Sequence, residues 1–126
     1  MQQRFTFPKK ERLSNIKQID KLFVEGKSMF VYPFRMLYLP VEESDVPVQV
    51  VFSVPKRSFK QAVQRNLIRR RMKEAYRLNK HLFYESIGQK NMHLTLVMIY
   101  VAKEIKDYKT IEKGIKRAMN KMTELI

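Results

Sequence analysis

Between Ser58 and Phe83 the chain contains neither Gly nor Pro, and its apolar residues recur at helical spacing. A long helix is therefore the most constrained element of the fold, and it is also where the charge collects. Residues 56–80 hold ten Lys or Arg against a single acid, Glu74, a net +9 out of +14 for all 126 residues. The stretch before it, 36–55, has three acids and no base. The charge is thus a patch. A compact domain with such a patch calls for an anionic partner, nucleic acid ahead of an anionic membrane surface.

Compactness follows from the remaining composition. Hydrophobic residues make up 44% of the chain, with 8 Phe and 6 Tyr but only 3 Gly and 5 Pro, which suits a packed core rather than a basic tail. Such a length fits one domain, expected to span residues 1–126. The absence of Cys removes disulfides, thiolate metal sites and cysteine nucleophiles together. No apolar run approaches the ~20 residues of a membrane span. The first residues carry charge where a signal peptide would need its apolar segment. The expected location is cytoplasmic, with no membrane partner.

Periodicity gives the order α-β-β-α-β-α, with a further short strand possible at Ser28–Tyr32. Ser14 is placed to cap a helix running to Glu25, with Ile16, Ile19, Leu22 and Phe23 at helical spacing and Gly26 as its stop. Residues 34–41 and 48–54 read as strands on either side of the acidic turn Glu42, Glu43, Ser44 and Asp45. The long helix covers about 58–83. The apolar run Leu94–Val101 reads as a central strand. A last helix begins near Asp107 or Tyr108 and carries Ile111, Ile115, Ala118, Met119 and Met122 on one face. The fold class is α+β, a mixed sheet with helices packed on it.

On a wheel of ~100° per residue, Ile68, Met72, Ala75, Leu82 and Phe83 share the core-facing arc of the long helix. Arg65, Arg69 and Lys73 follow along its edge, and Asn66, Arg70 and Arg77 run beside them. These two lanes border the buried face, where a groove rather than bulk water is expected. Arg suits that place because its planar fork grips phosphate oxygens bidentately and stacks on bases. Asn66, a neutral amide among cations, suits a base edge, a 2′-hydroxyl or a neighbouring backbone group. A merely solvated face would mix signs, and here only Glu74 is available for pairing.

The residues offer no protein chemistry of their own. His81 and His93 have no partner at ligand spacing, and the acids of the turn read as a solvated loop. No Gly-rich phosphate loop is present, so no catalytic and no metal-ligating residue is expected. A DNA-binding helix-turn-helix lacks its short first helix and tight turn before Arg65, so DNA is not an expected partner.

The run Phe52-Ser53-Val54-Pro55-Lys56-Arg57 followed by Arg65-Asn66-Leu67-Ile68-Arg69-Arg70-Arg71-Met72-Lys73-Glu74-Ala75-Tyr76-Arg77 resembles the protein component of bacterial ribonuclease P. So do the opening residues Phe5 to Leu13, the segment Leu22 to Gly26, and Asp107-Tyr108 before the last helix. The resemblance covers nearly the whole chain. It departs at Leu67, where the family's Arg-Asn-Arg box has its second cation. Arg71 adds a cation about 40° away on the wheel. Pro55 and the segment Ser58 to Gln61 also differ from the usual family pattern.

The resemblance implies a fold like the second domain of a small-subunit ribosomal protein, with a left-handed βαβ crossover. It also implies a subunit of a ribonucleoprotein endonuclease. There a catalytic RNA, with Mg²⁺ bound mainly by that RNA, cuts precursor tRNA to leave the mature 5′ end. Carried over by position, Lys56, Arg57, Arg65, Asn66, Arg69, Arg70, Arg71, Lys73 and Arg77 contact RNA. Ile19, Phe23 and Tyr38 line a cleft for the single-stranded 5′ leader, on one or other face of the sheet. The partners implied are the catalytic RNA and precursor tRNA, with a monomeric free protein. A ribosomal or ribosome-assembly RNA-binding protein of similar fold is the competing reading.

Overall fold

The structure, a computed structural model, describes residues 6–126; Phe5 of the opening motif lies outside them. Four strands, β1 (Lys27–Val31), β2 (Phe34–Val41), β3 (Val48–Ser53) and β4 (His93–Tyr100), form one sheet in the order β1-β2-β4-β3. β1–β2 and β2–β4 are antiparallel, while β3–β4 is parallel. A parallel pair needs a crossover. Here it consists of α2 (Ala62–Asn79) and α3 (His81–Gln89). α1 (Ile16–Glu25) precedes the sheet and α4 (Tyr108–Leu125) follows it. The result is one compact α+β domain.

The sheet is buried on both faces, but unequally. On one face Phe34, Met36 and Tyr38 of β2, Val50 and Phe52 of β3, and Leu96 and Met98 of β4 meet α2, α3 and α4 in the main core. Ile68, Met72 and Ala75 of α2 and all five apolar residues expected on α4 are buried there. On the other face a smaller cluster joins Leu22 of α1 and Leu13 to Leu37 and Val97. Alternation along β2 sends Leu37 and Tyr38 to opposite faces.

Three expectations change. α1 is capped by Asn15, whose Oδ1 accepts from Gln18 N at 3.2 Å, and not by Ser14. Gly26 ends α1 because the chain passes so near Leu22 O that a Cβ there would lie 2.4 Å from it. The long helix is two helices. Asn79 turns its Nδ2 back to Ala75 O at 2.7 Å, which satisfies a terminal carbonyl. Lys80 then enters the interior, where its Nζ meets the Glu11 carboxylate and Thr6 O. The new axis buries Phe83 and Ile87 but leaves Leu82 66% exposed, so Leu82 does not belong to the core arc.

Candidate nucleic-acid interface

On its α1 side the sheet is only partly covered. α1 covers the row Leu37–Val97–Val51, with Ile19 half-buried against it. The neighbouring row, Phe30–Arg35–Ile99–Ser53, leaves Phe30 and Arg35 exposed and Ile99 and Ser53 half-buried. Phe23 on α1 is 56% exposed and Phe30 57% exposed. Just past Ser53 the chain leaves β3 through exposed Lys56 and Arg57 toward α2. A cavity of about 130 Å³ wraps the β3 edge, bringing Val51 and Leu13 beside Arg69 and Lys73. Arg69 and Lys73 of α2 therefore stand at the β3 edge, beside residues of the α1 side of the sheet.

The predicted site residues play unequal parts. Lys56, Arg57, Asn66, Arg70 and Lys73 are exposed. Arg69 Nη2 donates to Asn66 Oδ1 at 2.5 Å, which ties the two lanes together. Arg65 is held inward, donating to Phe59 O at 2.7 Å and Lys60 O at 2.8 Å. Arg71 donates to Lys106 O at 2.6 Å, at the entry to α4. Arg77 pairs with Glu74 at 2.5 Å, and that hydrogen bond raises its pKa above the usual Arg value. Of the α2 cations, Arg70 and Lys73 are exposed and Arg69 is half-buried, while Arg65, Arg71 and Arg77 are engaged within the protein.

Tyr38 is not a cleft residue. It is 9% exposed in the main core beneath α2 and α4, on the face away from α1. Register explains this, since the β2 residues on the cleft face are Arg35, Leu37 and Leu39. Sequence reasoning misses Phe30, Arg35 and Ile99. Alternation along β2 marks Arg35, but the pairing of β1 that brings Phe30 beside it leaves no local signature.

At the N-terminal end of α1 lies a roomier cavity of about 670 Å³, lined among others by Lys10, Arg12, Glu43, Asp45, Gln49 and His93. Its two carboxylates, set against Lys10 and Arg12, leave no net positive charge there to attract a phosphate chain. The aromatic and basic flank is the better one, although smaller. Among the described residues no three His, Cys, Asp or Glu side chains cluster to hold a metal.

The model of the ribonuclease P family matches residues 7–123. The chain belongs to the ribonuclease P protein family. It is 35% identical over 116 residues to the ribonuclease P protein component of Porphyromonas gingivalis, covering 91% of this chain and 85% of that one. It is 32% identical over 104 residues to the component of Chlorobaculum tepidum, covering 76% and 68%. The RNase P protein of Staphylococcus aureus superposes with a TM-score of 0.71 at 18% identity, over 89% of this chain and 94% of that one. The protein of Thermotoga maritima gives 0.68 at 22%, over 88% and 96%.

As a ribonuclease P protein, the chain is a subunit of the ribonucleoprotein that acts in tRNA processing, and it associates with the ribonuclease P RNA. The ribosomal alternative is not favoured. Among the described residues no helix is long and apolar enough to cross a membrane.

Proposed function

We propose that this ribonuclease P subunit, monomeric when free and cytoplasmic, holds the 5′ leader of precursor tRNA in the α1 cleft while the outer lanes of α2 lie on the catalytic RNA. The observation that carries the reading is the pair of exposed aromatics, Phe23 on α1 and Phe30 on β1, in a fold whose β3 edge sets Arg69 and Lys73 beside Leu13 and Val51 and whose β3–α2 connection exposes Lys56 and Arg57. Single-stranded RNA pairs an aromatic face for each base with a cation for each phosphate. Arg35, exposed between Phe30 and Ile99 in the same row, supplies a further donor inside the groove. Mg²⁺ belongs to the RNA in this reading, and no step on the protein passes through it. The protein's contribution is to neutralise charge and position the substrate.

Cleavage of a precursor tRNA by the ribonuclease P RNA at low Mg²⁺, with and without this protein, tests the reading. A gain in rate or substrate affinity is expected. No gain at any protein concentration would contradict it.

A further inference from the structure

The charge outside α2 has a second centre. On α4, Lys109, Lys113, Lys116, Arg117 and Lys121 are all exposed, with Asn120 among them. On the wheel the first four and Asn120 fall within a crest about 100° wide, opposite the buried face of Ile111, Ile115, Ala118 and Met122. From Lys109 to Asn120 the crest extends ~17 Å. The salt bridges among the described residues, Arg77–Glu74, Lys80–Glu11 and Lys106–Glu104, involve none of these cations. The acids of α4 do not neutralise it either. Glu112 is turned to Tyr108 and Asn79, and only Glu124 is exposed, near the end. A face serving only solubility would interleave both signs.

The crest is separate from the cleft. α4 packs on the sheet face that carries Phe34, Met36 and Tyr38, whereas α1 and the cleft lie on the other. It also differs in kind, since its exposed residues include no aromatic side chain. Cations without stacking partners recognise a sugar–phosphate backbone by position and shape and cannot hold splayed bases.

We propose that the α4 crest is a second RNA-binding face, docking on the phosphate backbone of a double-stranded segment of the ribonuclease P RNA. The protein is then a two-sided adaptor, with single-stranded substrate on one face of the sheet and an RNA duplex on the other. The inference takes the identity of the RNA from family membership and does not depend on the leader cleft.

The test replaces Lys109, Lys113, Lys116 and Arg117 with Gln together. A charge-preserving control carries Lys109→Arg, Lys113→Arg, Lys116→Arg and Arg117→Lys. Affinity for the ribonuclease P RNA is measured across a salt series, alongside melting and the preference of the assembled ribonucleoprotein for long-leader over leaderless substrate. The Gln variant is expected to lose roughly ten- to hundredfold in affinity at low salt and to flatten log K against log[salt] by about 2 or more. The control should keep the parent slope, and leader preference should persist in both. A parent slope in the Gln variant overturns the inference, as does binding transferred to vesicles of anionic lipid but not RNA. A parent protein that binds the RNA yet gives no help to cleavage would sink the proposed function and leave this inference standing.

Discussion

Arg65 reaches back from the first turn of α2 to the carbonyl of Phe59, with Nη1 2.7 Å from that oxygen and 2.8 Å from Lys60 O. Phe59 itself is buried against Tyr100, with ring centroids 5.9 Å apart. A residue that charge alone assigns to RNA thus fastens the loop between β3 and α2 to the core. The helix has need of it, because Gln61 at the N-cap makes no side-chain capping bond. Arg65→Ala is expected to cost about 1.5–3 kcal/mol in urea unfolding, the range for hydrogen bonds to a charged group. Its salt slope for RNA binding should change less than that of Arg70→Ala.

Arg69 and Arg70 should behave in the opposite way. Replacing Arg69 and Arg70 with Ala leaves the core untouched, because neither side chain is buried. Melting should shift little, while the slope of log K against log[salt] should fall by roughly 0.7–0.9 for each phosphate that is no longer neutralised. Binding isotherms at several salt concentrations would measure it. An unchanged slope would mean that these two side chains face only solvent.

Phe23 and Tyr38 separate surface from core. Tyr38→Ala should destabilise by about 3–5 kcal/mol, as loss of a large buried aromatic does. Phe23→Ala should leave the urea midpoint nearly unchanged, because its ring is 56% exposed. Equal destabilisation of both variants would place Phe23 in the core after all.

How much of this is legible in the sequence differs from residue to residue. The strands at 34–41 and 48–53, the apolar face of α4 and the crowding of cations on α2 all rest on local period and composition, which a chain displays openly. The break at Lys80 does not. It depends on Glu11, 69 residues earlier in the chain, drawing the ammonium inward. Tyr38 falls on the unexpected face for a related reason, since alternation says that Leu37 and Tyr38 part but not which of them meets α1. The fates of Arg65 and Arg71 rest on carbonyls of neighbouring loops, and backbone acceptors leave no mark on the residue types.

Lys80 offers a direct test of burial against charge. Its ammonium is buried with Glu11 and Thr6 O, 5.0 Å from the Tyr84 ring centroid and 5.8 Å from that of Phe7. Lys80→Met would leave the Glu11 carboxylate buried without its cation, at an expected cost of about 3–5 kcal/mol. Adding Glu11→Gln should recover much of the loss. If the double variant is no more stable than Lys80→Met, the pairing is not what matters at this position.

Tyrosine ionisation gives a pH test. Burial pushes the Tyr76 and Tyr84 hydroxyls well above the ordinary tyrosine range, and these two share a hydrogen bond of 3.0 Å. Tyr108 is pushed up to about 12, first by desolvation and then by the Glu112 carboxylate. The folded chain therefore keeps protons that the unfolded chain releases near pH 10. Their contribution to stability is complete below about pH 10 and is lost as pH rises from there through the folded values. Urea midpoints should fall as pH rises above about 10, and fall less steeply in Tyr84→Phe. Identical slopes for parent and variant would contradict the assignment.

The central claim, that the α1 cleft holds the single-stranded leader, is tested most directly by one ratio. The assembled ribonucleoprotein is titrated with long-leader precursor tRNA and with mature tRNA, for the parent and for Phe23→Ala. Loss of one stacked base, worth about 1–3 kcal/mol, should lower the precursor-to-mature affinity ratio by roughly five- to hundredfold, with mature tRNA unaffected. An equal loss for both tRNAs, or no loss for either, would contradict the account.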